Sequence, residues 1–280
     1  MSGGMLTALH GVAALTALAV LAMSIRLGRR WVSPGQEGAG LRASEPLPRA
    51  PLAAMVGLAL VLLLVGEVLG LVWAPPDREM GDVYRIIYVH VPAMWMAMLM
   101  SLLNFACCLS YLFNAGWRKD ALAETSAEIG LLFGTFGLVL GALWGRPTWG
   151  VYWDWDPRLT SMAIMLVTYT AYLALRRFVE DPEKRAVWSS VVGIISFVNV
   201  PIVWFSVKWW RSLHQVQSTP KTVDPEMTLA LRFNAWAFLA LLAVFVLVRY
   251  RIALATREEE VALPEALPSD APGARTSEVA

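Results

Sequence analysis

Two of the three histidines lie beside tryptophan-rich segments of this 280-residue chain. His90 lies in the sequence YVHVPAMW and His214 in WWRSLHQ, and the stretch 144–160 between them reads WGRPTWGVYWDWDPRLT. Imidazole nitrogen is a common axial ligand of haem iron. Indole rings are broad, rigid and mostly apolar, which suits a large flat ligand. These residue types predict a haem site in which the two histidines approach opposite faces of one macrocycle.

The composition excludes an ordinary soluble domain. Hydrophobic residues make up 57% of the chain, charged residues 16%, and the mean hydropathy is +0.54. Soluble domains have about 45–50% apolar and about 25% charged residues. The net charge of +1, from 23 Lys and Arg against 22 Asp and Glu, offers no electrostatic basis for binding nucleic acid. The chain is therefore expected to contact membrane lipid and not to bind nucleic acid.

Segments that could cross a membrane need about 20 predominantly apolar residues. The chain has seven candidates: Met5–Ile25, Leu52–Trp73, Val91–Phe113, Ile129–Trp144, Thr160–Leu175, Trp188–Val207 and Leu229–Val248. We predict an all-α integral membrane protein with a six-helix transmembrane core plus an extra N-terminal span. The two shortest segments have weakly polar flanks that can extend them. Small residues at Gly130, Gly134, Gly137 and Gly141 predict a face for close helix packing.

The predicted domains follow these spans. Residues 1–51 form an N-terminal extension with a Gly-, Pro- and Arg-rich linker, residues 52–250 form the core, and residues 251–280 form a disordered tail. Whether the segment Met5–Ile25 is a true span, or whether translation starts after it, stays open. A cleaved signal peptide is disfavoured, because the basic flank follows the apolar run instead of preceding it.

The distribution of Lys and Arg orients the bundle. If the arginine-rich segment after the first span is cytoplasmic, about two-thirds of all Lys and Arg lie on the cytoplasmic side. This orientation places the 144–160 loop, His90 and His214 on the outer side of the membrane. His10, in the uncertain first span, is interpreted as structural.

The tryptophans fall unevenly between the two predicted sides. An aromatic belt at both interfaces would be roughly symmetric. The outer side carries Trp73, Trp144, Trp149, Trp153, Trp155, Trp209 and Trp210, and the cytoplasmic side carries Trp31, Trp117 and Trp188. This asymmetry favours a ligand platform over a plain belt.

Cations and carboxylates complete the candidate site. Arginine suits carboxylates because its guanidinium is a planar fork, and haem carries two propionates. The outer loops offer Arg85, Arg146, Arg158, Lys208 and Arg211. Asp156 followed by Pro157 is typical of a helix start, with Asp as N-cap. Glu67, inside the second span, and Asp154 receive no assigned role.

Three blocks of sequence together resemble the CcmC family, the haem-handling proteins C of cytochrome c maturation. The blocks are Arg85–Ala93, the stretch Trp144–Thr160, which is similar to the WWD signature, and Asn199–Gln215. The resemblance implies six transmembrane helices in a bacterial inner membrane. It also implies that haem, b-type and non-covalently bound in transit, lies at the outer face. It implies that His90 and His214 are the axial ligands.

The resemblance also implies which other residues contact haem. The WWD residues correspond to Trp144, Trp149, Trp153, Trp155 and Asp156. Arg146 and Arg158 are the cations that we add to this set from the outer loop. Residues 1–51 lie outside the usual six-span pattern, and Asp154 is an additional acid within the signature.

The implied function is to present haem to a periplasmic haem chaperone, which attaches it covalently. No catalytic residue is predicted, and whether the protein counts as an enzyme stays open. Because no nucleotide-binding Gly-Lys loop is present, ATP would be bound by subunits of a partner ABC-type transporter. The alternatives are a cytochrome c haem lyase acting directly on apocytochrome, and a transmembrane haem transporter. The short outer loops disfavour the former, and the scarcity of polar residues within the spans disfavours the latter.

Overall fold

The protein is a bundle of long helices. The computed structural model describes residues 3–31, 43, 45–214 and 224–266. The helices are α1 (Gly3–Gly28), α2 (Arg49–Glu67), α3 (Ile87–Phe113), α4 (Trp117–Trp149), α5 (Pro157–Phe178), α6 (Pro182–Phe197), α7 (Asn199–Trp209) and α8 (Pro225–Ala266). Within the described ranges, seven segments are long and apolar enough to cross a membrane, with α6 and α7 together forming one of them. The predicted all-α membrane fold is confirmed.

Short irregular helical turns lie at the end of α2 and at the start of α3. A π-helical turn, Val68–Trp73, continues α2, and a 3-10 helix, Asp82–Ile86, leads into α3. The Nη1 atom of Arg85 donates to the carbonyl oxygens of Gly70 at 3.1 Å and Ala74 at 2.7 Å. These carbonyls lack helical partners at the end of a helix. Arg85 therefore closes this helix end, and its guanidinium is already engaged.

Close packing of α3 against α4 depends on the four glycines singled out in the sequence. A Cβ atom on Gly130 would lie 3.2 Å from the Cβ of Met100, and one on Gly141 would lie 3.1 Å from Cε1 of His90. Gly134 likewise faces Met162 of α5. The predicted packing face is confirmed, and its last glycine is what lets α4 approach the His90 ring.

The N-terminal helix belongs to the bundle. Ala13, Ala17 and Val20 of α1 are buried, mainly where α1 packs along α8. Near the end of α1, the ring of Trp31 lies 6.0 Å from that of Tyr250. The extra span is therefore a helix of membrane-crossing length with its own packing partner. Its histidine, His10, has its ring 6.2 Å from that of Trp236, and its position is consistent with the structural interpretation.

An ionic cluster lies at the end of the bundle opposite His90. It consists of Asp120 and Glu124 of α4, Arg176 of α5, and Arg249 and Arg257 of α8. Arg176 and Arg257 both bind Asp120, at 2.7 Å and 3.0 Å. The side chains of both arginines are 4% exposed and that of Asp120 is 1% exposed. Each buried charge therefore has an opposite partner, as burial requires.

This cluster explains why two helices are longer than their predicted spans. α4 starts at Trp117 instead of Ile129, and its added turns carry the acidic members of the cluster. α8 continues to Ala266, and its added turns include Arg257. The charged residues of these turns are typical of a loop or a tail in sequence, yet they form ion pairs with each other inside the bundle.

The predicted disordered tail is wrong for its first part. Residues 251–266 are helical, because Arg257 lies within the ionic cluster and Glu260 binds Arg185 at 2.6 Å. Residues 267–280 lie outside the described residues. The same holds for most of the predicted linker, residues 32–42 and 44.

Candidate functional site

One cavity collects side chains from several helices. It has a volume of about 330 Å³ and lies at the end of the bundle where α3 begins and α4 ends. His90 of α3, Trp144 and Trp149 of α4, Arg158 of α5 and His214 from the segment after α7 all line it. We call this end of the bundle the site end. Five of the nine residues assigned to haem binding from the sequence thus share one cavity.

His90 is oriented by a backbone carbonyl. Its Nδ1 lies 2.9 Å from the carbonyl oxygen of Gly137 on α4. A carbonyl only accepts, so Nδ1 carries the proton and donates. In the neutral ring, Nε2 then keeps its lone pair. Histidines that bind metals usually donate their other ring nitrogen to such a group, which fixes the tautomer and the ring orientation. His90 therefore has the arrangement of a preorganised ligand.

His214 lies against two indole rings. Its ring centre is 6.2 Å from that of Trp144 and 6.3 Å from that of Trp149, and the two indoles form an edge-to-face pair at 5.4 Å. Aromatic contacts of this kind fix ring positions as well as exclude water. The described residues include no group of three or more His, Cys, Asp or Glu side chains that could hold a metal ion. The histidines that line this cavity are His90 and His214.

Two buried donors at the cavity have no partner among the described residues. They are Nε1 of Trp144, a residue that is 7% exposed, and Nη1 of Arg158. A buried N–H group without an acceptor costs about 1–3 kcal/mol. Such donors lining a cavity are suited to a ligand that brings its own acceptors. A carboxylate accepts two hydrogen bonds readily and matches the guanidinium geometry.

The remaining lining is apolar. Met94 and Met98 follow His90 along the same face of α3, and Met162 of α5 lies opposite them. None of the three was predicted from the sequence. Met94 and Met98 follow His90 by four and eight residues, a spacing that places them on the same face of α3. Trp95 and Trp204 also line the cavity and are partly exposed, so the cavity reaches the surface of the protein.

Four assigned residues do not line the cavity. Trp153 and Trp155 form an edge-to-face pair at 5.8 Å, and Trp155 is 79% exposed. The guanidinium of Arg146 is held by the carbonyl of Gly150 at the end of its own helix. Asp156 is 5% exposed and is the N-cap of α5, as its sequence position before Pro157 predicted.

The two acids without an assigned role lie apart from the cavity lining. The carboxylate of Asp154 accepts from the backbone amide of Trp155 at 2.8 Å, which is a local loop contact. Glu67 ends α2 where the π-helical turn begins, and its Oε2 is buried without a partner among the described residues.

Comparison with known proteins identifies the family. The family model of "Heme exporter protein C", CcmC, matches residues 42–263. The chain belongs to the CcmC family. Among CcmC relatives, "Heme exporter protein C" of Haemophilus influenzae is 38% identical over 202 residues, which cover 70% of this chain and 82% of that protein. The protein of the same name from Escherichia coli K12 is 36% identical over 195 residues, covering 69% and 79%.

The CcmC match covers the whole cavity. Every residue that lines it falls between residues 42 and 263, whereas α1 precedes the matched region. A third relative, "Heme exporter protein C" of Bradyrhizobium diazoefficiens, is 36% identical over 187 residues, covering 64% of this chain and 70% of that protein. The residues matched to the CcmC family therefore include the helices that build the site, whereas α1 lies outside the match.

Proposed function

We propose that the cavity binds haem as cargo, with His90 and His214 as its axial ligands. The observation that carries the proposal is that both histidines line one cavity, and that the Nδ1 of His90 is already committed to Gly137. Haem needs ligand nitrogens held in place and a pocket that excludes water, because pocket polarity and access decide what the iron does. Two strong axial ligands would keep the iron inert while haem is in transit.

The walls suit the rest of the haem molecule. Trp144, Trp149 and the methionine face of α3 supply apolar surface for the macrocycle. Nη1 of Arg158 and Nε1 of Trp144 are available to the propionates. We place Trp153 and Trp155 at the rim, where the half-buried ring of Trp153 and the exposed ring of Trp155 extend the platform beyond the cavity.

Two further residues complete the proposed site. We place Arg146 at the same rim and Asp156 behind the cavity lining. Since the cavity reaches the surface beside Trp95 and Trp204, one edge of a bound haem would stay accessible.

The proposed role is presentation of haem for cytochrome c maturation. The relatives carry the name "Heme exporter protein C". We infer that the site end faces the periplasm, in the orientation that the Lys and Arg distribution favours. A periplasmic haem chaperone would receive the haem at the open edge, with ATP bound by subunits of an ABC-type transporter. In this proposal the protein itself holds and orients haem in a b-type, non-covalent state.

Purification from membranes with co-expressed chaperone tests the proposal. The wild type should carry acid-extractable haem with the sharp visible bands of six-coordinate, low-spin iron. His90→Ala and His214→Ala should each lose these bands or lose the haem, and covalent loading of the chaperone should fall. His10→Ala is the matched control, because this histidine lies on α1 and outside the cavity, and its spectrum should equal that of the wild type. A colourless wild type, or unchanged spectra in both site variants, would contradict the axial assignment.

A double variant addresses the tryptophan platform in the same assay. Trp149→Ala combined with Trp153→Ala should reduce haem retention and chaperone loading without affecting membrane insertion. Trp188→Ala, an exposed tryptophan of α6 far from the site end, serves as the control. Equal loading by the double variant and the control would remove these indoles from the proposed site.

A further inference from the structure

Asp156 connects two segments that are far apart in the chain. One carboxylate oxygen accepts from the backbone amide of Arg158 at 2.8 Å, which caps α5. The other oxygen accepts from the backbone amide of Leu213 at 2.7 Å, 57 residues away. Both distances are those of charge-assisted hydrogen bonds, which are short and about twice as strong as neutral ones. The residue is 5% exposed, so water competes little for either bond.

Leu213 directly precedes His214 in a segment without helical support. α7 ends at Trp209, and residues 210–214 follow as irregular chain. Such a segment has few internal hydrogen bonds to fix its path. The contacts that locate it include the Asp156 bond, a bond from the His214 amide to Oγ of Ser212 at 3.1 Å, and the rings of the two cavity tryptophans. The Trp210 amide bonds the end of α7, and the Asp156 bond links the backbone directly before His214 to the start of α5.

We propose that Asp156 is a positioning residue for His214 and does not itself contact haem. It attaches the His214 segment to the first turn of α5, the turn that also carries Arg158. The axial imidazole and the propionate-binding guanidinium then keep a constant separation. This inference rests on the proposed function, and it assigns the acid of the WWD signature to the protein's internal framework.

Substitution of Asp156 can separate the two bonds. Asn and Ser are both favourable N-caps, so α5 keeps a capped start. Each supplies one accepting oxygen on the side chain where the carboxylate supplies two, so Arg158 and Leu213 cannot both be served. Asp156→Asn and Asp156→Ser should therefore free the Leu213 amide while the protein still folds.

Asp181 is a matched control. It is also an N-cap followed by proline, and its carboxylate accepts from the amides of Glu183 and Lys184 at 2.9 and 3.0 Å. The amide of Lys184, together with that of Glu183, lowers the pKa of Asp181 below its ordinary value. Its described bonds are confined to its own helix terminus, far from His214. Asp181→Asn therefore reproduces the loss of a cap carboxylate without the long-range bond.

The first measurement uses the haem-free protein, so it does not depend on haem binding. In lipid nanodiscs, the Leu213 amide should exchange hydrogen for deuterium at least about tenfold faster in Asp156→Asn than in the wild type. This is the rate increase expected when one charge-assisted hydrogen bond is lost. Asp156→Ser should behave alike, and Asp181→Asn should match the wild type there. Unchanged exchange at Leu213 in both Asp156 variants would overturn the positioning role, whatever the haem result.

The second measurement uses the haem-loaded protein. Asp156→Asn should keep haem but shift part of the iron from low-spin to high-spin, and added imidazole should restore the low-spin bands. Because Asp156 acts through His214, the double variant Asp156→Asn/His214→Ala should have the spectrum and haem content of His214→Ala alone. A further loss of haem in the double variant would mean that Asp156 contacts haem directly and would overturn the proposal.

The two measurements distinguish this inference from the proposed function. If the wild type binds no haem, the proposed function fails, while the exchange result still decides whether Asp156 holds the His214 segment. If the wild type shows low-spin haem and Asp156→Asn shows the same spectrum, the proposed function stands and the positioning inference fails.

Discussion

The two cavity histidines are held by different kinds of contact. His90 lies within the first turns of α3, and its Nδ1 donates to a backbone carbonyl of α4. His214 lies on irregular chain and depends on a carboxylate and two indole rings. A helix-borne side chain is fixed more tightly than one on a loop. In the proposed haem site, the ring of His90 is therefore held by its own helix and by α4, whereas that of His214 depends on contacts from other segments.

The tight approach of α4 to His90 yields the first prediction. Gly141→Ala places a Cβ atom 3.1 Å from Cε1 of the His90 ring, so the ring must move by a few tenths of an ångström. The Nδ1 bond to Gly137 should weaken, and haem should bind less tightly with altered visible bands. The measurement is the spectrum and haem content of the purified variant. Gly57→Ala is the control, since a Cβ there meets nothing within 4 Å, and it should leave both readouts unchanged. Unaltered haem spectra in Gly141→Ala would show that the contact does not orient His90.

At the scale of elements, the loop between α4 and α5 is short, and each of its ends carries a helix cap. Gly150 ends α4 with a positive φ of 83°, and its amide donates to the carbonyl of Arg146 at 3.1 Å. Asp156 and Pro157 then begin α5. These two caps set the direction of the loop that carries Trp153 and Trp155. The rim of the cavity is thus positioned by local backbone chemistry at the ends of two helices.

The left-handed cap predicts a specific defect. Gly150→Ala forces a side chain into a conformation that costs about 1–2 kcal/mol for residues other than glycine. The loop should fray, and protease cleavage between residues 150 and 156 should become faster. Gly116→Ala is the matched control, because Gly116 precedes α4 with an extended φ of 179° that any residue adopts and with open space around it. Equal cleavage rates in the two variants would contradict the strain at Gly150.

At the scale of the whole molecule, the ionic cluster joins α4, α5 and α8 at the end far from the site. Arg176 donates to both carboxylate oxygens of Asp120 and to Oγ of Ser189 of α6 at 2.8 Å. Four helices are therefore connected through a few buried charges. Arg176 and Arg257 also bind Glu124. Without Asp120, two buried guanidinium groups would depend on this one carboxylate, which is more costly than removing an exposed pair.

The cluster predicts a large loss of stability from one substitution. Asp120→Ala leaves Arg176 and Arg257 with Glu124 as their remaining shared carboxylate and should destabilise the bundle by about 3–5 kcal/mol. A clearly lower midpoint of thermal unfolding in detergent would confirm this. Lys184→Ala removes the exposed Lys184–Asp181 pair, which joins atoms 3.8 Å apart, and should leave the midpoint close to that of the wild type, because exposed pairs contribute little. Similar midpoints for the two variants would mean that the cluster contributes no more than a surface pair.

Much of this architecture is readable in the sequence. The seven spans follow from hydropathy, the start of α5 follows from Asp156–Pro157, and the α3–α4 contact follows from glycine spacing. These features depend on residues close together in the chain, where composition and periodicity act directly. The true ends of α4 and α8 were not predictable in this way, because their charged turns become stable only when they meet across the bundle.

The candidate site was likewise predictable only in part from the sequence. The sequence alone identified the residue types, because two histidines, clustered indoles and nearby arginines are suited to haem wherever they lie. Only the tertiary structure decided that Trp144, Trp149 and Arg158 join His90 and His214 in one cavity, while Trp153, Trp155 and Arg146 lie outside its lining. It also decided that Asp156 binds the backbone before His214. The physical reason is that a hydrogen bond between residues 57 apart depends on how α5 and the end of α7 pack, and no local pattern encodes that distance.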